Sequence, residues 1–273
     1  MQCAWKTSRH APRGARPSFR GLSAAAGAAL TVLGVTTIAV SIIGFPAMPR
    51  EYKRAEAKNY GISPTGLSPA YPEKYACSPL TSLYASWIDV DGTKREEIHS
   101  GVDGGRLGDE IFAPGPGVVR ASWEADWGWG KEGAMLVRHS RSGLNLRGGP
   151  AYYYSAFYHM RIEDTRAFKE GDPISRGQVL GTVSRPGGKL RYLPEVHWEV
   201  YEVADDGALT WGLNERGAPF WTNASAKLVD PLHMLALHRP PDEDGMVLIE
   251  PFVSGRSYAS FRGFTYILPC ARK

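Results

Sequence analysis

Three of the seven histidines in this 273-residue chain sit in spacings that could do chemistry. The first is in His99-Ser-Gly-Val-Asp103. On an extended strand side chains alternate with a period of two, so residues i and i+4 share a face, and this imidazole and carboxylate converge as metal ligands must. The second is in Glu195-Val-His-Trp-Glu-Val-Tyr201, a strict alternation. Glu195, His197, Glu199 and Tyr201 point one way, and Val196, Trp198 and Val200 point the other. The polar side offers two carboxylates and an imidazole, although a half-buried strand with a solvated outer face would show the same pattern. The third is His159, near the end of the aromatic run YYYSAFYHM at 152–160.

The elements that must position these residues are short and strand-like. Runs at 83–90, 117–123, 134–139, 152–159, 178–183 and 196–203 are separated by glycine or proline, and the chain holds 31 Gly and 20 Pro. This texture predicts an all-β, antiparallel sandwich or open barrel and argues against a helical bundle. One short helix is expected at 230–237, with Asp230 as its N-cap and Pro231 in its first turn. Residues 246–270 read as two strands around Ser254-Gly255. Residues 49–82 are polar and proline-studded, and read as a linker with one short helix near 51–58.

The net charge is +4, from 32 Lys+Arg against 28 Asp+Glu, but it is unevenly spread. Residues 1–50 carry six basic side chains and no acid, whereas the remainder carries 26 basic and 28 acidic residues. The bulk of the chain is therefore slightly acidic, and no nucleic-acid role is expected. Residues 21–48 carry no charge and are long enough to cross a bilayer of ~30 Å as a helix. The preceding positive charges orient the N-terminus toward the cytoplasm. An uncleaved signal anchor and a cleaved signal peptide both fit, and both export the bulk of the chain. Cys3 then lies on the cytoplasmic side, leaving Cys77 and Cys270 as a candidate disulfide in an oxidising compartment, or as two buried thiols.

Taken together, the motifs resemble the lysostaphin/LytM-type zinc metallopeptidases, peptidoglycan endopeptidases with the duplicated hybrid motif fold. The resemblance runs in order through His99…Asp103, Ala113-Pro-Gly-Pro-Gly-Val-Val119, Leu136-Val-Arg-His139, Phe157-Tyr-His-Met160, Gly171-Asp-Pro-Ile-Ser-Arg-Gly-Gln178 and Glu195-Val-His-Trp-Glu199. It covers about residues 95–203. It implies that His99, Asp103 and His197 hold one Zn²⁺ per chain, with a fourth position left to water. It also implies that His159 steadies the oxyanion, that His139 is a strand histidine beside the groove or in the core, and that Glu199 supports the site without ligating. The chain departs from the family at Glu195, where a histidine is usual. A carboxylate there can act as the base that activates water. Trp127, Trp129 and Tyr154 are candidates to line the groove.

The expected organisation is a basic cytoplasmic segment (1–20), a signal anchor or signal peptide (21–48), a linker (49–82), a metallopeptidase domain (83–240) and a C-terminal β extension (241–273). The expected activity is zinc-dependent hydrolysis of stem or cross-link peptides in bacterial peptidoglycan. The domain would then face the periplasm or cell-wall space, on a single-pass inner-membrane anchor or secreted, and the sequence leaves open whether a regulatory protein partner activates it. A catalytically impaired wall-binding scaffold that activates another hydrolase is the alternative, because Glu195 replaces the usual histidine.

Overall fold

Long alternations of apolar and polar residues become long strands. In the computed structural model, which describes residues 52–53, 57, 61–89, 92–95, 97–127, 130–188, 193–213 and 217–273, eight strands form one antiparallel sheet. They are β1 (Leu80–Ser82), β2 (Val102–Gly104), β3 (Gly117–Asp126), β4 (Lys131–Ser140), β5 (Tyr152–Met160), β6 (Pro173–Ile174), β7 (Val196–Val203) and β8 (Ala226–Val229). Their order is β6-β3-β4-β5-β7-β2-β1, and β8 lies beside the second half of β7. All described residues belong to one unit, Ile42–Lys273.

The sheet has two unlike faces. On one face Val196, Trp198 and Val200 are fully buried together with Phe157, Met135 and Val137. Phe264 from the C-terminal segment packs on this face, with its ring 6.0 Å from Trp198, which stacks on Phe157. Each such side chain contributes roughly 1.5–3 kcal/mol by leaving water. On the other face Tyr201 and Tyr154 lie under Trp221, at ring separations of 5.0 and 5.6 Å. The His197 end of β7 belongs to this second face.

The remaining strands form two-stranded ribbons, and several of them draw the segment read as a linker into strand pairing. Ser68–Ala70 pairs in parallel with Met246–Leu248, and Tyr75–Cys77 pairs antiparallel with Cys270–Arg272. β1, also inside the expected linker, pairs with β2. Residues 68–82 are therefore an integral part of the sheet system, because their backbone groups find partners at the far end of the chain. Two strands flank Ser254-Gly255 as expected, Met246–Leu248 and Cys270–Arg272, and each pairs with the 68–82 segment. Cys77 and Cys270 sit opposite each other in this ribbon and are joined by a disulfide across 193 positions. Tyr52–Lys53, inside the helix expected near 51–58, is extended and pairs with Glu97–Ile98.

In the expected run at 83–90, residues 83–89 are irregular, Val90 lies outside the described residues, and the strand of that region is β1, just before it. The short helix at Pro231–Leu235 forms as expected, with the Asp230 side chain accepting from the Leu232 N–H at 2.9 Å. Among the described residues no helix is long and apolar enough to cross a membrane; the expected anchor at 21–48 lies outside them.

Candidate metal centre

β2 and β7 are neighbours, and Asp103 and His197 face each other directly across the pair. Directly opposed side chains on one sheet face lie close enough to touch. His197 Nδ1 is 2.8 Å from Asp103 Oδ1. His99 reaches the same point from the loop before β2, with its Nε2 3.0 Å from Asp103 Oδ2 and 3.1 Å from His197 Nδ1. Among the described residues this is the one group of three such side chains whose ligand atoms converge.

His99 and Asp103 do not share a continuous strand, as their spacing had suggested. The chain bends at Ser100 and Gly101, and Gly101 lies against the backbone of β7: a Cβ there would be 2.3 Å from the Trp198 carbonyl oxygen. Close approach of two backbones is what brings His99 inward.

The second nitrogen of each imidazole fixes which nitrogen faces the centre. His99 Nδ1 donates to the Leu83 carbonyl at 2.8 Å, which leaves the lone pair on Nε2. His197 Nε2 donates to Glu199 Oε1 at 3.1 Å, which leaves the lone pair on Nδ1. Glu199 is fully buried and accepts from the Tyr201 hydroxyl at 2.7 Å. The lone-pair-bearing atoms of these three side chains, His99 Nε2, His197 Nδ1 and the two Asp103 oxygens, meet in pairs at 2.8–3.1 Å and repel one another unless a cation sits among them. A tetrahedral zinc with ligands at ~2.0–2.1 Å has edges of about 3.3 Å, so the donor set fits that ion. Without a metal the cation must be a proton. Burial opposes charge on His197, but its hydrogen bonds to Asp103 and Glu199 outweigh burial and push it up to about 10. Burial likewise opposes charge on Asp103, yet His99 and His197 hold it well below the usual carboxylate range.

Around this triangle stand further polar groups. Arg95 donates to Asp103 Oδ2 at 3.2 Å and to Asp89 at 3.0 Å, holding the carboxylate from outside. Glu195 is pushed up to about 7, first by burial and then by the Asp103 charge; His159, His197 and Arg95 pull the other way. Its backbone N–H bonds to the Ser184 carbonyl, so it enters β7 from a fixed position.

His159 reaches the site through a bulge. Strict alternation on β5 would put it beside Phe157 on the opposite face. Instead the β4–β5 register shifts between Phe157 and Met160, and His159 takes a φ of 60°. The bulge turns its ring to within 6.3 Å of His197. Its Nδ1 donates to Glu132 Oε1 at 2.8 Å, and the second Glu132 oxygen accepts from the Gly187 N–H at 3.0 Å. Burial would lower the His159 pKa; the Glu132 charge and hydrogen bond outweigh it and raise it.

His139, by contrast, is fully buried on the opposite face, between the Pro116 carbonyl (2.9 Å) and Ser155 (3.1 Å), and burial lowers it to about 4. It is a core histidine and no part of the groove. Tyr154 is also fully buried and donates to Asp206, so it does not line a groove. Trp127 is buried with its ring 5.5 Å from Tyr158, which itself lies 5.8 Å from His197; it supports the wall of the site from behind. Trp129 lies outside the described residues.

Sequence reasoning missed Glu132 and Arg95. Glu132 left a signal: it shares parity with Ala134 and Leu136, a carboxylate at the head of an apolar stretch of the strand. Arg95, in a loop, left none.

No family model and no curated protein matches the chain. Among solved structures it is similar to LytU at 16% identity and a TM-score of 0.34, covering 59% of this chain and 84% of that one. The catalytic domain of lysostaphin from Staphylococcus simulans is 17% identical with a TM-score of 0.32, over 58% of this chain and 90% of that domain. The catalytic domain of a point mutant of the prophage-encoded M23 protein EnpA from Enterococcus faecalis is 18% identical with a TM-score of 0.30, over 58% of this chain and 95% of that one.

Proposed function

We propose that the chain is a zinc metalloendopeptidase that hydrolyses amide bonds in the stem or cross-link peptides of bacterial peptidoglycan. The observation that carries this reading is the convergence of His99 Nε2, Asp103 and His197 Nδ1 within 2.8–3.1 Å, with both imidazoles fixed by partners on their far nitrogens. These three residues would hold the zinc. Bound zinc supplies a Lewis acid that polarises a carbonyl and lowers the pKa of a coordinated water toward ~7.

The chain's own groups supply the rest. Glu195 takes the proton of the attacking water on its carboxylate and passes it to the leaving amine. His159, anchored at Nδ1 by Glu132, presents its Nε2–H to the oxygen of the scissile carbonyl as negative charge develops there. Glu199 and the Leu83 carbonyl keep the two ligand imidazoles in the ligating tautomer. The peptidoglycan substrate rests on the motif resemblance together with a periplasmic or cell-wall location. Export by the 21–48 segment, with attachment to the membrane if it is retained, rests on that segment's length and lack of charge.

The test combines metal analysis with digestion of purified sacculi. About one zinc per chain, released peptide fragments, loss of product on chelation and recovery on adding zinc are the expected results. His197→Ala should lack both metal and product. A folded, zinc-loaded chain that releases nothing from sacculi overturns the reading, and digestion of proteins but not sacculi moves it to another peptide substrate.

A further inference from the structure

A cavity of about 560 Å³ opens on the face of the sheet that carries His197, lined by Arg120, Ser122, Trp123, Glu170, Leu209 and Trp211 among others. Its volume lies within the range of small-molecule sites. Trp211 comes from the ribbon Thr210–Leu213, outside the main sheet, and is 45% exposed. Its ring meets Trp123 edge-on at 5.4 Å. Trp123 meets Tyr158 at 6.1 Å, and Tyr158 lies 5.8 Å from His197. An aromatic row therefore joins the cavity to the metal centre. On the cavity wall Arg120 and the largely exposed Glu170 pair at 3.1 Å, offering a donor and an acceptor side by side.

We infer that this cavity is a carbohydrate subsite, which binds a sugar of a glycopeptide whose peptide portion passes over the partly exposed Trp123 toward the metal centre, above the buried Tyr158. The inference rests on the peptidase reading above and adds the sugar to it. The chemistry of the wall selects this occupant. A half-exposed indole presents an apolar ring to the C–H face of a pyranose, while a balanced Arg–Glu pair hydrogen-bonds hydroxyl and acetamido groups. The absence of a net charge on that pair disfavours a polyanion. The three ring-to-ring steps span at most the length of roughly five extended residues at ~3.3–3.6 Å each. A sugar seated at Trp211 thus places the first few residues of an attached peptide at His197, so the cut bond lies within the stem close to the glycan.

The experiment titrates the full, zinc-loaded chain with an N-acetylglucosamine trisaccharide, followed by tryptophan fluorescence. It also compares KM for a tetrapeptide carrying its disaccharide with KM for the same free tetrapeptide. The expected results are saturable quenching by the trisaccharide, weakened about tenfold in Trp211→Ala and less in Glu170→Gln, and a KM about tenfold lower for the glycopeptide. A trisaccharide that does not bind, or that binds Trp211→Ala as tightly as wild type, overturns the subsite. Sugar binding at Trp211 without cleavage of either peptide keeps the subsite and overturns the hydrolase. Equal KM values with no sugar binding keep the hydrolase and overturn the subsite.

Discussion

At Glu195 a half-buried carboxyl stands among Asp103, His159, His197 and Arg95, and its pKa of about 7 lies close to neutral pH. A group poised there both accepts and returns a proton, which is what a general base needs. Replacing it by Gln keeps the shape and removes the base. Glu195→Gln is expected to lower kcat about 10²- to 10⁴-fold while zinc content stays at wild-type level, and metal analysis beside a kinetic assay checks both. Glu132 acts one step further back. One of its oxygens holds His159 and the other holds the backbone of Gly187. Glu132→Ala frees the imidazole, and a loss of roughly 10- to 100-fold in kcat is expected, with zinc affinity little changed. Glu132→Gln, which keeps an acceptor for His159, should recover part of the loss. A variant that loses zinc as well would make Glu132 a scaffold of the metal centre instead.

At the scale of elements, the site depends on how closely β2 approaches β7. Gly101 has no room for a side chain against the Trp198 carbonyl, which a Cβ would meet at 2.3 Å. Gly101→Ala is expected to push the two strands apart, costing about 1–3 kcal/mol of stability and weakening zinc binding at least about tenfold. Zinc titration beside urea unfolding measures both, and unchanged affinity would show that His99 is held independently of the bend. His139 tests the other face. Its pKa falls from 6.5 in the unfolded chain to about 4 in the core, so the unfolded state binds the proton first. Its contribution is fully present above pH 6.5 and is lost as pH falls toward 4. The wild type should therefore lose up to about 3 kcal/mol more than His139→Gln between pH 7 and pH 4, read as the shift in urea midpoint. How these elements arise was partly legible. The alternation at 196–203 marked the bounds of β7, because its two faces carry different side chains; that Glu199 and Tyr201 on the polar face are buried as well did not show in the period. The bulge that turns His159 around was not legible, since it is set by the β4–β5 register and by the pull of Glu132.

Across the whole molecule, the two ends of the described fold are tied together. Cys77 and Cys270 close a loop of 193 positions, and the 68–82 segment pairs with both C-terminal strands. Closing so long a loop removes much of the freedom of the unfolded chain. The double variant Cys77→Ser/Cys270→Ser is expected to be about 2–5 kcal/mol less stable. Thermal unfolding with and without reductant checks this, and an unchanged midpoint would mean that the strand pairing alone holds the ends. The same tie explains why residues 68–82 look like a linker in the sequence. Their strands are three residues long, too short to show a period, and two of the three pair with the far end of the chain.

By itself the sequence determined the predominance of short strands, the uneven charge, the cysteine pair and the three ligand candidates. Each of these is carried by residue type and local spacing. Only the tertiary structure decided that His99 and Asp103 converge through a bend, that Glu132 anchors His159, and that His139 and Tyr154 belong to the core. Those outcomes depend on which backbone lies against which, and contacts between residues far apart in the chain leave no mark in local spacing.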